Sequence, residues 1–393
     1  MNSSKFNLKN FFLFLIIFVT ISQIVKFYSF YEEYSAWQYA DWIINYQGGF
    51  IRRGFIGEIL YNIYYLFGVD LDFLVLIFVN LLFLLCSIFL FKSLEIIKKN
   101  QLDILIFLSP GFFLYPLMNS EIIGRKDILM IFSMSLIVFF ENKLKNFFLL
   151  FLIIFLILFT SLSHSAFLFY SPYIIIVYYF ILLRRESNFI LFYLIAAIST
   201  IIICFILIFL NQGNLNQVNE ICESIKDFIT ESCSSYGQIS WLVNNSKVYF
   251  VEKFILKQGF FKIFLVYILS FFLVNIFLAI KLYKSNFNFS NKSLNNVNPL
   301  TPFLILFVLT FPVYILGLDW GRYIHISYSC SFFILYYLLK NELIISNYSL
   351  KIKNSLLVLI IFFYSFMWTF PFYNAENFKF TLKKPIYKIL NLD

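Results

Sequence analysis

The sequence predicts an all-α fold: a polytopic transmembrane helical protein of about eleven spans, organised as one domain over residues 1–393. Three observations predict it. Hydrophobic residues make up 61% of the chain and charged residues only 13%, where soluble domains carry about 25%. Mean hydropathy is +0.83, so there is too little polar surface to cover a water-soluble particle, and the low hydrophobicity that marks disorder is absent. Apolar stretches of roughly the 20 residues needed to cross a bilayer recur along the chain.

These stretches lie near 11–30, 72–91, 103–118, 127–141, 147–163, 165–183, 188–210, 261–280, 301–318, 323–339 and 354–371. The first is expected to remain as a span, because it is too long and lacks the small-residue cleavage site of a signal peptide. The third and fourth are short and need Pro110, Pro116 or tilt to fit. Between the first and second spans, segment 31–71 predicts two interfacial helices. In 31–47, Tyr34, Trp37, Asp41 and Asn45 share a face at helical spacing, and Tyr and Trp favour the membrane interface. In 55–67, Phe55, Ile56, Ile59, Leu60, Ile63 and Phe67 oppose Glu58, Asn62 and Tyr65, an amphipathic pattern suited to lying on a leaflet. Loop 211–260 holds Cys222 and Cys233, which an oxidising compartment would allow to pair. Cys86, Cys204 and Cys330 fall within spans and read as small apolar residues.

Charge bias orients the chain with its N-terminus in the cytoplasm of an inner (cytoplasmic) membrane. Lys and Arg divide evenly, fifteen to each side, but acids do not: the cytoplasmic loops carry +10 and the outer segments −1. Most outer positive charges lie in long segments or beside acids. The basic pI of about 9.1 then reflects topology, and no nucleic-acid partner is expected.

In this orientation the dense polar motifs all face outward. Segment 31–71 contains Asp41, then Gly48-Gly49-Phe50-Ile51-Arg52-Arg53-Gly54, Gly57 and Glu58. Four glycines around paired arginines suggest an anion cradle of successive amides. The next outer loop carries Glu121-Ile122-Ile123-Gly124-Arg125-Lys126-Asp127, with Asp127 placed to cap the following span. Further on come Ser163-His164-Ser165 and Asp319-Trp320-Gly321-Arg322-Tyr323, with His325 beyond. Charged groups next to apolar spans tend to face a cavity. No zinc-type ligand spacing, nucleotide loop or Ser-His-Asp ordering is present.

Arginines beside acids at a membrane face suit a phosphate-bearing substrate. Arginine grips phosphate oxygens in a bidentate way, and a nearby carboxylate can take the proton of a sugar hydroxyl. Positive groups would stabilise a departing phosphate. Nucleotide sugars are absent outside the cytoplasm, which points to a polyprenyl-linked donor.

The layout resembles the GT-C superfamily of integral-membrane glycosyltransferases, which use polyprenyl-linked sugars. A first span followed by a long outer segment places Asp41 where that superfamily has its catalytic Asp. The Glu121 to Asp127 loop lies where it often has a second acidic site, and Arg322-Tyr323 is similar to its donor-phosphate-binding arginine region. The chain departs from that plan in having Arg125-Lys126 before Asp127 in place of a clean acidic pair, and it is expected to lack the soluble C-terminal domain. The resemblance implies Asp41 as general base, Asp127 or Glu121 placing the acceptor or a divalent cation, and Arg52, Arg53, Arg125 and Arg322 holding phosphate. His164 joins the catalytic candidates; Lys126, Asp319 and Tyr323 join the phosphate-binding ones. The implied partners are a polyprenyl-linked sugar donor, a glycan or lipid acceptor and the surrounding membrane lipids. No cofactor is certain. A Wzy-like polysaccharide polymerase and a lipid-linked glycan flippase or transporter are the alternatives. The first typically shows a larger late outer loop, and the second polar groups at the bilayer midplane.

Overall fold

The computed structural model describes residues 8–32, 38–95, 100–228, 233, 238–243, 260–290, 292–317, 319–346 and 348–372. Its helices, in chain order, are α1 (Leu8–Glu32), α2 (Phe55–Phe67), α3 (Leu71–Ser93), α4 (Gln101–Phe107), α5 (Tyr115–Met118), α6 (Asp127–Phe140), α7 (Asn146–Ser163), α8 (Ser171–Arg184) and α9 (Ile190–Leu210). They continue with α10 (Leu215–Ser224), α11 (Phe260–Tyr283), α12 (Lys292–Asn295), α13 (Leu300–Leu316), α14 (Trp320–Lys340) and α15 (Asn354–Phe366). Two short strands, β1 (Ser285–Phe287) and β2 (Ile344–Ser346), pair antiparallel with Ser285 opposite Ser346.

Among the described residues, six helices are long and apolar enough to cross a membrane: Lys9–Phe30, Leu71–Ser93, Asn146–Ser163, Ser165–Arg184, Ile190–Leu210 and Phe264–Tyr283. Their outward faces expose large apolar side chains, such as Phe14 and Ile17 on α1 and Leu81 and Leu84 on α3. A belt of this kind needs lipid around it. The chain is therefore a multi-pass helical membrane protein.

α14 differs from this belt because protein surrounds it. Trp320 through Leu338 are all buried, packed against α6, α8, α11 and α13. A helix that meets no lipid tolerates hydroxyls and charges wherever neighbours satisfy them, so this helix carries Arg322, His325, Ser327 and Tyr328.

The third expected span is corrected by the structure. Residues 103–118 are not one helix: α4 ends at Phe107, the chain turns through Ser109-Pro110-Gly111, and only the single turn α5 follows. Seven residues of α4 cover about 10 Å. Proline removes a donor, and the carbonyls freed by the break are met by α14. The Tyr328 hydroxyl donates to the Ile106 carbonyl at 2.7 Å, and His325 Nδ1 lies 2.9 Å from the Gly111 carbonyl. The Ser109 hydroxyl donates to the Val274 carbonyl of α11 at 3.1 Å. Irregular backbone at membrane depth survives when protein satisfies it in this way. His325 thus has a structural task.

The expected interfacial helix over 31–47 is also corrected. Tyr34 and Trp37 lie outside the described residues. The rest forms one 3₁₀ turn, Ala40–Ile43, which is buried in the protein, not laid on a leaflet. The second helix, α2, forms over the expected range, with Ile56, Gly57 and Leu60 facing inward. It lies directly on the 3₁₀ turn: a Cβ added at Gly57 would stand 1.9 Å from the Ile44 carbonyl oxygen. At Gly48 it would stand 2.5 Å from the Gln217 carbonyl oxygen. These glycines permit chains to cross. Gly57→Ala is expected to push α2 off the segment bearing Asp41. Overpacking of this kind costs about 1–3 kcal/mol, readable as a lower thermal midpoint and, if unchanged, as evidence against the close crossing.

The chain runs between two polar poles. At one pole Arg184 forks onto Glu141 (Nη2–Oε2 2.6 Å, Nη1–Oε1 3.2 Å) and also bonds the Asn341 side chain. Arg185 holds the Glu141 carbonyl and the Asn146 side chain. This network ties the α6–α7 and α8–α9 turns to the end of α14. A second buried pair, Lys281–Asp103 at 2.9 Å, fastens α11 to the start of the broken segment. The start of α6, the end of α7 and the start of α14 meet at the other pole.

Candidate functional site

That other pole gathers residues from four distant segments. The 3₁₀ turn delivers Asp41, 1% exposed. The start of α6 delivers Lys126 and Asp127, 0% and 2% exposed. The end of α7 delivers His164, and the first turn of α14 delivers Arg322. Trp42 locks the first two together, because its indole N–H donates to the Gly124 carbonyl at 2.6 Å.

Two ion pairs stand side by side. Lys126 Nζ lies 3.8 Å from Asp41 Oδ1 and also donates to the carbonyls of Arg53 and Ser163, both at 3.0 Å. Gln238 donates to the same Asp41 oxygen at 3.2 Å. Both contacts fall on Oδ1, so Oδ2 is the atom best placed to receive a proton. The second pair joins helices: Arg322 Nε lies 2.7 Å from both Asp127 oxygens, and Nη2 lies 2.6 Å from Oδ1. Asp127 was expected to cap α6; instead it is the first helical residue, makes no cap bond, and spends its carboxylate on Arg322. The local pair expected in 319–323 also forms, with Arg322 Nη1 at 3.2 Å from Asp319 Oδ2.

His164 faces this group with one defined nitrogen. Its Nδ1 accepts the Ala166 backbone N–H at 3.3 Å, closing the 3₁₀ turn Ser165–Tyr170. Burial, followed by Arg53, Arg322 and Lys126, holds the ring well below its ordinary pKa, so it is neutral. A neutral ring that accepts at Nδ1 carries its proton on Nε2. That Nε2 lies 3.2 Å from Arg322 Nη2. Arg322 Nη2 and His164 Nε2 thus stand at hydrogen-bond distance, with the donor set by the ring's tautomer.

The charges set each other's ionisation. Burial alone would raise the Asp41 carboxyl, but Lys126, Arg53 and Arg322 hold it below the usual range, so it is a carboxylate at neutral pH. Burial pushes the Lys126 ammonium down to about 8, against the opposing pull of Asp41.

The remaining candidates divide. Arg53 sits in the left-handed region at φ 74°, an unusual conformation for a non-glycine residue, with Nε 3.5 Å from Ser165 Oγ. Arg125 stands at the rim, holding the Glu121 carbonyl at 3.3 Å with its guanidinium over the Phe372 ring. Glu121 is exposed on the 3₁₀ turn Ser120–Ile122. Arg52 turns away, donating to the Leu242 carbonyl at 3.2 Å, and so fastens the loop after α9 instead of joining the pairs. Tyr323 packs its ring on Tyr314, and its carbonyl accepts the Tyr170 hydroxyl at 3.1 Å. Cys222 and Cys233 are bonded to each other. Gln238, which touches Asp41, carries no signal in the sequence: it is one amide in a polar loop.

A cleft leads to the pairs. It is a cavity of about 70 Å³ between α1, α3, α6 and α14, lined by Val19, Phe83, Phe113 and Ile131 together with Gln23, Arg125, Asp127 and His325. α1 and α3 are two of the helices whose outer faces carry the lipid-facing belt. Among the described residues, no three His, Cys, Asp or Glu side chains stand close enough to hold a metal ion, and the carboxylates of Asp41 and Asp127 face cations already. No family model, curated protein or solved structure matches this chain.

Proposed function

We propose that this chain is a GT-C-like membrane glycosyltransferase. It moves a sugar from a polyprenyl-phosphate-linked donor to a glycan or lipid acceptor on the outer face of a cytoplasmic (inner) membrane, which it crosses about eleven times with its N-terminus in the cytoplasm. One observation carries the reading: a cavity bounded by α1, α3, α6 and α14 has Arg125 and Asp127 in its lining among apolar side chains, beside the buried Asp41–Lys126 and Asp127–Arg322 pairs. A long apolar tail would lie in the cleft, its phosphate among Arg322, Arg53, Arg125 and the His164 Nε2–H. The Cys222–Cys233 bond supports an oxidising compartment for this pole. The ion-pair networks sit at the two ends of the helices, which argues against a transporter with its charged groups at the midplane.

In this mechanism Asp41 Oδ2 takes the proton of the acceptor hydroxyl while that oxygen bonds the anomeric carbon. The bond from that carbon to the phosphate oxygen breaks, and its electrons leave with the polyprenyl phosphate. Arg322 and His164 donate to the charge that develops there. Lys126 keeps Asp41 ionised before the step and remains beside it afterwards.

The reading is tested by transfer of a radiolabelled hexose from polyprenyl phosphate in reconstituted vesicles, followed against pH. Below about 8, Lys126 is charged and supports both Asp41 and the phosphate. Above that value it loses its proton, so kcat/KM is expected to fall about tenfold per pH unit, as one ionisation requires. Lys126→Arg should move that limb upward. A profile flat to pH 10 would remove Lys126 from the mechanism.

A further inference from the structure

The pole of the Arg184–Glu141 network carries a second kind of surface, where α3, α6 and α14 end together. Four rings from these helices form one row. Phe89 stacks on Phe139 with centroids 5.2 Å apart and 13° between the planes, and it meets Phe140 edge-on at 6.4 Å. Phe139 packs in turn on Tyr336 at 5.2 Å. Lysines from three separate segments stand on this row. Lys340, the last residue of α14, holds Nζ 5.4 Å from the Phe139 centroid and 6.0 Å from that of Tyr336. Lys143, in the turn after α6, holds Nζ 4.9 Å from the Phe140 centroid. Lys92 follows Phe89 by one turn near the end of α3. All three lysines are exposed, and among the described residues none of them is in an ion pair. The buried Glu141 is spent on Arg184 and Arg185. With those arginines, five cations stand at these helix ends against Glu95, Glu141 and Glu342.

A lysine stem laid along an aromatic ring presents its ammonium at headgroup level while the ring stays in the apolar layer. Below Lys92, the same face of α3 carries Leu81, Leu84 and Ile88 at helical spacing, all exposed. Charge and apolar stripe thus meet end to end, which is the pattern of one phosphate with an acyl chain attached. We propose that this surface binds an anionic phospholipid of the surrounding bilayer, with its headgroup among Lys92, Lys143 and Lys340 and one chain along α3. Basic groups at the ends of packed transmembrane helices attract such headgroups. A zwitterionic lipid brings a cation of its own to the same place, and a soluble anion lacks the chain that the stripe receives. The bound headgroup would tie together α3, α6 and α14, three of the helices that bound the cavity at the other pole. The site stands apart from the transferase reading and does not depend on it.

The test titrates the full chain in detergent with phosphatidylglycerol, phosphatidylcholine or glycerol phosphate. Bound lipid is counted by native mass spectrometry, and the thermal midpoint is followed in phosphatidylcholine nanodiscs with and without phosphatidylglycerol. The unaltered protein should retain phosphatidylglycerol in preference to phosphatidylcholine, ignore glycerol phosphate and gain thermal stability from the anionic lipid. Replacing Lys92, Lys143 or Lys340 singly by Gln should weaken phosphatidylglycerol binding about fivefold, and all three together about a hundredfold, the contribution of lysines near a bilayer surface. The triple variant should keep its midpoint in pure phosphatidylcholine, because the changed side chains are exposed. Lys351→Gln with Lys353→Gln removes exposed lysines just before α15 and should leave the binding unchanged. Equal retention of the two lipids by the unaltered protein would overturn the proposal. So would undiminished phosphatidylglycerol binding by the triple variant, an equal loss in the Lys351/Lys353 control, or equal binding of glycerol phosphate. A triple variant whose midpoint falls as far in pure phosphatidylcholine as with the anionic lipid would reduce the three lysines to a packing role and overturn it as well.

Discussion

Asp41→Asn is expected to lower sugar transfer by about 10²- to 10⁴-fold, the contribution of a positioned general base, with the protein still inserted and folded. The side chain keeps its shape, so Gln238 still meets an oxygen at that position. Lys126 loses its counter-charge but keeps two carbonyl acceptors, those of Arg53 and Ser163. With a pKa near 8, it also sheds its proton readily. Stability should therefore change little while the reaction is lost, and donor binding should persist because the phosphate-facing groups remain. Transfer at the unaltered rate in a folded Asp41→Asn protein would remove Asp41 as the base.

The largest effect on stability is expected from Arg322→Gln. This guanidinium is the only group that joins α6, α7 and α14 at once among the described contacts: it meets Asp127, Asp319 and His164. Removing it leaves the Asp127 carboxylate buried and uncompensated. Breaking one partner of such a pair costs about 3–5 kcal/mol, whereas replacing both partners by neutral groups is often close to neutral. Arg322→Gln should therefore lower the thermal midpoint sharply, and adding Asp127→Asn should recover much of it. Transfer should stay lost in both, since the phosphate has no partner in either. Recovery of activity together with stability would make the pair structural only.

The membrane character and the grouping of polar motifs were legible because both rest on composition and on the approximate length of a span. Asp41, Asp127, His164 and Arg322 stood out against an apolar background for the same reason: a buried charge is costly and needs a partner. The partners themselves were not legible. Gln238 meets Asp41 across 197 residues, and no local pattern marks it. The break at 107–115 reads as helix in the sequence because its residues are apolar. What decides it is tertiary: Tyr328 and His325 satisfy the backbone that a helix would have satisfied itself. The glycines around Arg52 suggested a ligand cradle, but glycine answers equally to a crossing chain, and Gly57 meets Ile44. Arg52 and Arg53 are adjacent in sequence and identical in type; the turn between them sends one to the loop after α9 and the other toward the site.

The central claim is that one apolar cleft brings a lipid-linked phosphate against the paired charges. Photo-crosslinking with a polyprenyl phosphate carrying a diazirine midway along its tail, followed by peptide mapping, tests it most directly. The account predicts adducts on cleft residues of α1, α3 and α6, such as Val19, Phe83 and Ile131, weakened by Arg322→Gln and competed by unlabelled polyprenyl phosphate but not by the dephosphorylated alcohol. Adducts spread over the lipid-facing surfaces of α9 and α13, with equal competition by the alcohol, would contradict it.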